Sequence, residues 1–185
     1  GQEHVIKNLW QRLEKDNVLL AAPRRFGKTA AMYRLFDNPK DEFVPVITNV
    51  EYINTAGDFM VELIAAIYKK KQFKRIINKL WEGVKDVAAY FRDIPEDIDM
   101  GGVNIKIREK TDVSTDWLSY GERLMELFAD ESPRLLLILD EFAVMIDEIV
   151  KRDKEEAKTL LRWFRSARLA PNTKTRFVIG GSIHL

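Results

Sequence analysis

The fold is decided by one stretch, Val18 to Phe36, which reads VLLAAPRRFGKTAAMYRLF. Its first three residues are apolar and predict the end of a buried strand. Met32, Leu35 and Phe36 recur at helical spacing after Gly27-Lys28-Thr29, so the stretch predicts a strand, a loop and a helix. A loop followed directly by a helix N-terminus presents backbone N–H groups and a positive dipole end, and both stabilise a polyanion.

The loop fits the phosphate-loop pattern G-x-x-x-x-G-K-[ST], with Ala22 at the position of the first glycine. Gly27 lets the backbone approach the phosphates, Lys28 reaches the β- and γ-phosphate oxygens, and Thr29 ligates the Mg²⁺ that bridges them. The expected nucleotide-binding residues are Ala22, Pro23, Arg24, Arg25, Phe26, Gly27, Lys28, Thr29 and Ala30. Gly-Lys-Thr also occurs by chance, and the alternative is a helix that merely begins with glycine and lysine.

A second motif, Leu135 to Glu141 (LLLILDE), is an unbroken apolar run that ends in two carboxylates. Such a run predicts a central parallel strand, and ligands of open α/β sheets bind at the carboxyl ends of these strands. We expect Asp140 to hold Mg²⁺ through its water shell and Glu141 to accept a proton from the attacking water. An Asp-Glu pair alone is usually a helix N-terminal charge pair. Together, the two motifs predict a Mg²⁺-dependent ATPase that binds ATP and ADP.

Composition excludes several classes of protein. The 185 residues suffice for one domain, and the hydrophobic fraction of 46% is ordinary for a globular chain. Lys plus Arg number 30 against 29 Asp plus Glu, so net charge alone argues for no polyanionic partner. The lack of cysteine excludes disulfides and Cys-ligated zinc. No stretch approaches roughly 18 consecutive apolar residues, so we expect a cytoplasmic protein without a membrane partner.

Hydrophobic spacing predicts the remaining elements. Helices are expected at residues 3–15, after the cap at residues 55–58, after Thr115-Asp116 and downstream of Phe142, and strands at residues 43–50 and 176–179. Ser182 follows the last strand, and we expect it to lie between the two phosphate-site strands and to orient the attacking water. Its alternative role is that of a turn residue.

An insertion is predicted at about residues 69–116, because about 85 residues separate the second and third strands where a βαβ unit needs only about 30 in all. The apolar positions of its helical part are Ile76, Ile77, Leu80, Val84, Val87 and Phe91. Val103, Ile105 and Ile107 alternate with polar residues. We therefore expect a helical hairpin and a short, half-exposed strand or β-hairpin arm.

Two basic groups are candidates for binding a partner. The first lies in the insertion and comprises Lys69, Lys70, Lys71, Lys74, Arg75 and Lys79. This group can grip DNA phosphates, but Phe73 is its one interleaved aromatic residue, and a solvated helix face is the favoured alternative. The second group, Arg162, Arg165 and Arg168, can act across the interface of a homo-oligomer or can simply be solvated.

The segments Ala22 to Thr29, Leu135 to Phe142 and Ile179 to Ile183 make the chain resemble the archaeal-type P-loop ATPases of the AAA+ and STAND group, relatives of origin-recognition initiators. The resemblance implies a three-layer sandwich around a parallel sheet, with the fourth strand between the phosphate-loop strand and the acidic strand. It also implies that Glu141 is the catalytic base and Ser182 the first sensor.

In this family an opening Gly-Arg-Glu lies beside the adenine, and Gly1-Gln2-Glu3 is similar, with glutamine in place of arginine. The family also has a fifth strand, a lid with a second-sensor arginine and often a winged-helix DNA-binding domain. We therefore expect residues 1–185 to be an ATPase core truncated before the fifth strand and lid, with slow hydrolysis. The expected role is a nucleotide-driven switch in a larger protein, with a DNA or protein partner bound through the missing C-terminal region or the basic insertion. The alternative is a nucleotide-gated protein- or DNA-binding module with negligible hydrolysis.

Overall fold

A computed structural model of the chain describes residues 2–23, 25–84 and 86–182. Four strands form one parallel sheet: β1 (Val18–Ala22), β2 (Phe43–Asn49), β3 (Arg134–Asp140) and β4 (Arg176–Ser182). Their order across the sheet is β1-β4-β3-β2, with every neighbouring pair parallel. The predicted α/β class is confirmed, and so is the expected place of the fourth strand between the phosphate-loop strand and the acidic strand.

Helices cover both faces of this sheet. Those in the described residues are α1 (Gln2–Leu13), α2 (Lys28–Asp37), α3 (Ala56–Tyr68), α4 (Lys74–Leu80), α5 (Val87–Arg92), α6 (Met100–Lys110), α7 (Trp117–Phe128), α8 (Phe142–Arg152) and α9 (Lys154–Leu169). Over these ranges, every helix is too short or too polar to cross a membrane.

The unbroken apolar run of β3 follows from this two-sided cover. Leu136 and Ile138 pack with α1 and α2, whereas Leu135, Leu137 and Leu139 pack with the helices of the opposite face. All five side chains are fully buried, because successive residues of a strand point to opposite faces and both faces are covered.

Short polar side chains set several helix boundaries, and the cap at Thr55 was predicted. The Thr55 hydroxyl accepts a hydrogen bond from the Asp58 N–H at 2.9 Å and begins α3. Asp153 separates α8 from α9, where one longer helix was expected. Its carboxylate accepts hydrogen bonds from the N–H groups of Glu155 and Glu156, both at 3.0 Å, and caps α9.

The predicted strand or β-hairpin arm is wrong, because residues 100–110 form α6. Val103 and Ile107 are four residues apart, lie on one helical face and are fully buried, whereas Ile105 points away and is 57% exposed. The Asp99 carboxylate also caps this helix, accepting a hydrogen bond from the Gly102 N–H at 2.6 Å. Apolar residues four apart, such as Val103 and Ile107, fit both the strand and the helix period, and the cap and the core contact select the helix.

The continuous helical spacing expected from Ile76 to Phe91 is also interrupted, since α4 and α5 are separate short helices. Gly83 and Asp86 adopt left-handed backbone conformations, with φ of 86° and 65°. A residue in this region ends an α-helix, and glycine does so without strain.

The helical assignment of α6 predicts different costs for two identical truncations. Ile107→Ala removes a fully buried side chain, so we expect the free energy of unfolding to fall by about 2–5 kcal/mol. Ile105→Ala, at an exposed position of the same helix, should cost less than about 0.5 kcal/mol. Urea unfolding measures both values, and equal losses at the two positions would contradict the helix.

Candidate functional site

The candidate site lies where the carboxyl ends of β1, β4 and β3 meet. Ala22 of β1 pairs with Ser182 of β4, and β4 in turn lies beside β3. Since parallel strands end at the same edge of the sheet, Ser182 lies between the loop that follows β1 and the Asp140-Glu141 pair that follows β3. The loop after β1, Ser182, Asp140 and Glu141 therefore come together at one edge of the sheet.

In the described part of the loop between β1 and α2, two residues are left-handed: Arg25 with φ 68° and Gly27 with φ 78°. Glycine adopts this conformation freely, whereas arginine incurs about 1 kcal/mol of strain there. Gly27 is the N-cap of α2 and offers no side chain to its first N–H groups. The helix therefore begins with donors that an anion can use.

Thr29, in the first turn of α2, contacts the end of β3. Its hydroxyl donates a hydrogen bond to Asp140 Oδ2 at 3.0 Å, and the Glu141 N–H donates to Asp140 Oδ1, also at 3.0 Å. Asp140 is only 6% exposed, so these bonds hold its carboxylate in one orientation. Glu141 adopts φ 57°, a left-handed conformation that is strained for a side chain of this kind.

Lys28 and Ser182 link the loop to Glu141. The Lys28 ammonium donates to the Ala22 carbonyl at 2.6 Å, to the Pro23 carbonyl at 3.4 Å and to Ser182 Oγ at 3.3 Å. The Ser182 hydroxyl donates to the Glu141 carboxylate, 3.1 Å from Oε1 and 3.4 Å from Oε2. The expected position of Ser182 between the two phosphate-site strands is confirmed, and its catalytic role stays a prediction.

These residues line an open cleft of about 430 Å³. Glu51 lines the cleft as well, although it was not among the predicted site residues. Knowledge of the strand order would have indicated that Glu51 lies at the site, because β2 is the neighbour of β3. The Val50 N–H donates to the Asp140 carbonyl at 3.1 Å and so brings the loop after β2 beside Glu141.

A second cleft, of about 310 Å³, adjoins the same loop on the side of α1. It is lined mainly by apolar side chains, including three that are at least half exposed: Val5, Leu19 and Phe26. Gln2 and Lys28 also line it. An exposed apolar surface that is continuous with a phosphate-type loop suits a flat, largely apolar ring.

Some predicted site residues fall outside the described part of the chain: Arg24 in the loop, Gly1 of the Gly1-Gln2-Glu3 segment, and Ile183. The other predicted loop residues lie at the expected junction of β1 and α2. Ala22 ends β1, Ala30 lies in the first turn of α2, and the loop between them contains Pro23, Arg25 and Phe26.

The basic group of the insertion is largely engaged within the protein. Lys69 donates to the Ile98 carbonyl, Lys71 pairs with Glu96 at 3.3 Å, and Lys74 lies 5.3 Å from the ring centroid of Tyr68. Lys70 lies 4.4 Å from the ring centroid of Phe36, and burial lowers the pKa of Lys70. Lys71 and Arg75 are nevertheless exposed, so the choice between a DNA-binding face and a solvated face stays a prediction.

The three arginines of α9 do not share one environment. Arg168 stacks on Phe164, 5.0 Å from the ring centroid, while Arg162 and Arg165 are exposed. The prediction that they act across a subunit interface stays untested.

Gly180 of β4 leaves the space that the side chains of Met32 and Asp140 occupy. A Cβ at this position would press on Met32 Cε and lie 2.7 Å from Asp140 Oδ1. We therefore expect Gly180→Ala to lower the free energy of unfolding by about 1–3 kcal/mol in urea denaturation, because the core has no room for the methyl group. Gly181→Ala is the matched control, since its Cβ would meet only Ala143 Cβ, at 3.6 Å, and no comparable loss is expected. A tolerated Gly180→Ala would contradict this packing.

Within residues 2–23, 25–84 and 86–182, no three His, Cys, Asp or Glu side chains are grouped to hold a metal ion. The oxygen atoms of Thr29 and Asp140 nevertheless fit Mg²⁺, which takes one or two protein ligands and completes its shell with phosphates and water.

Comparison of the chain with protein-family models, curated proteins and solved structures finds no match.

Proposed function

We propose that this chain is the core of a Mg²⁺-dependent ATPase of the P-loop type, which uses ATP binding and hydrolysis to switch a larger protein. One observation carries the proposal. Lys28 of the loop contacts Ser182, which is hydrogen-bonded to Glu141, and Thr29 of the loop contacts Asp140. A chance occurrence of Gly-Lys-Thr would not place its lysine and threonine against Ser182 and Asp140 at the same edge of a parallel sheet.

In the proposed complex, the phosphates occupy the cleft beside Thr29 and Glu141. The nucleobase lies in the apolar cleft beside Val5, Leu19 and Phe26. Lys28 leaves its loop carbonyls for the β- and γ-phosphate oxygens, and the first N–H groups of α2 donate to the same phosphates. Thr29 would ligate Mg²⁺ and Asp140 would hold the ion through its water shell, and the ion would neutralise phosphate charge.

Hydrolysis then requires a base beside the γ-phosphate, and Glu141 has the carboxylate for this role. It accepts a proton from water while the water oxygen bonds to the γ-phosphorus and the bond from phosphorus to the β-γ bridging oxygen breaks. Lys28 stabilises the charge that develops on the phosphate oxygens. The products are ADP and inorganic phosphate.

A second candidate is a nucleotide-gated binding module with negligible hydrolysis. It is favoured by the hydrogen bond from Ser182 to Glu141, which engages the proposed base. Phosphate release from Mg·ATP separates the two functions, because only the ATPase gives repeated turnover. ATP binding without measurable release would favour the module.

Asp140→Asn tests the proposed metal site. The amide keeps the shape of the side chain but loses its charge, so we expect phosphate release to fall by about 10- to 100-fold and ATP binding to depend less on Mg²⁺. Titrations with Mg²⁺ and with EDTA measure that dependence. Asp147→Asn on the exposed face of α8 is the control. If Asp140→Asn behaves like this control, Asp140 is not a metal ligand.

A further inference from the structure

Glu141, the base in the proposed function on which this inference rests, is itself held by a neighbouring hydroxyl group. Lys28, Ser182 and Glu141 form a continuous chain of hydrogen bonds across β4, from loop to carboxylate. Ser182 is the middle member. It is partly buried and belongs to a strand, so its place between the other two is set by the sheet.

The direction of this chain follows from the chemistry of its members. An ammonium group only donates hydrogen bonds, so Ser182 Oγ must accept from Lys28. The single hydroxyl hydrogen is then left for the Glu141 carboxylate, which only accepts when ionised. The bonds at 3.3 Å and 3.1 Å therefore reinforce one another, since each polarises the hydroxyl in the same sense.

We propose that Ser182 is a positioning residue that couples phosphate binding to Glu141: it holds Glu141 while Lys28 contacts Ser182, and nucleotide phosphate breaks this relay by drawing Lys28 away. Phosphate oxygens and Ser182 Oγ compete for the same ammonium group. Once Lys28 has left, the hydroxyl is no longer oriented toward Glu141 and the carboxylate can turn to a water molecule. The empty site is thereby kept inactive, and the phosphates themselves activate it.

The relay predicts an effect on affinity that a water-orienting serine would not have. Because the relay stabilises only the empty site, its removal should tighten nucleotide binding. Hydrolysis should slow at the same time only through the second role predicted for Ser182, that of orienting the attacking water. ADP is the suitable probe, since it recruits Lys28 through its β-phosphate but has no γ-phosphate for Ser182 to contact. A serine that only orients the attacking water would leave ADP affinity unchanged.

The test is calorimetric titration of Mg·ADP into the wild type and a matched pair of variants, Ser182→Val and Ser182→Thr. These two side chains have nearly the same shape, suit a strand and differ by the hydroxyl. We expect the Kd for Mg·ADP to fall about threefold to tenfold in Ser182→Val, the worth of one hydrogen bond, and to stay within about twofold of wild type in Ser182→Thr. In the same samples, kcat for ATP should fall in Ser182→Val and be restored in Ser182→Thr.

Ser166→Ala, at an exposed position of α9, is the control and should change neither quantity. Unchanged or weaker Mg·ADP binding by folded Ser182→Val would overturn the relay while leaving the proposed function intact. Absence of Mg·ADP binding by the wild type would instead overturn the proposed function, and the relay with it. Should Ser182→Val not fold, Ser182→Ala gives the same comparison with a smaller side chain.

Discussion

Replacing Lys28 by alanine is expected to raise the Kd for Mg·ATP by about 10- to 100-fold. The ammonium group lies at the start of α2, within reach of the cleft, and forms charge-assisted hydrogen bonds with whatever oxygen atoms it meets there. In the proposed nucleotide complex these would be phosphate oxygens, and such bonds contribute up to about 3 kcal/mol, a factor of about 100 in affinity. Calorimetric titration of both proteins measures the change.

Lys151→Ala is the matched control, because it removes the same charge from an exposed position of α8. Its affinity for Mg·ATP should equal that of the wild type. Thermal unfolding of Lys28→Ala verifies that the loop, whose carbonyls bind the ammonium group, has not unfolded the domain. Equal affinities of Lys28→Ala and wild type would rule out this loop as the phosphate site.

Glu141→Gln is expected to lower the rate of ATP hydrolysis by about 100- to 10,000-fold while the Kd for Mg·ATP stays within about threefold. The amide has the shape of the carboxylate and its oxygen still accepts the hydrogen bond from Ser182, but it cannot take a proton from water. Phosphate release under saturating Mg·ATP measures the rate, and titration of the same preparation measures binding.

Glu148→Gln makes the same chemical change on the outer side of α8, where Glu148 pairs with Lys151. This control should hydrolyse ATP at the wild-type rate. If Glu141→Gln also retains that rate, another group is the base, and Glu51 is the other carboxylate that lines the cleft.

Much of the fold could be predicted from the sequence because its signals are local. The run at Leu135 is apolar without interruption and is buried on both faces, and Thr55 supplies the cap that α3 requires. The loop between β1 and α2 was likewise predictable from its glycine, lysine and threonine, and its role in phosphate binding stays a prediction. The strand order came instead from the resemblance, because nothing local in Ser182 says which strands lie beside it.

The parts that failed depend on tertiary contacts. Val103, Ile105 and Ile107 fit a strand by their alternation, yet only Val103 and Ile107 have a core to enter, and that core selects the helix. The contact between Lys28 and Ser182 joins residues far apart in the chain, so no spacing in the sequence could predict it. Glu51 was missed for the same reason, since its nearness to Glu141 arises from the pairing of β2 with β3.

The measurement that tests the central claim most directly is a calorimetric titration of Mg·ATP into the wild-type chain. We expect saturable binding at one site per chain, weakened when Mg²⁺ is removed by EDTA. Competition by ADP should displace the bound ATP, because both nucleotides place phosphates in the same loop. Absence of any saturable heat with Mg·ATP at millimolar concentration, from a chain that unfolds cooperatively, would contradict the account.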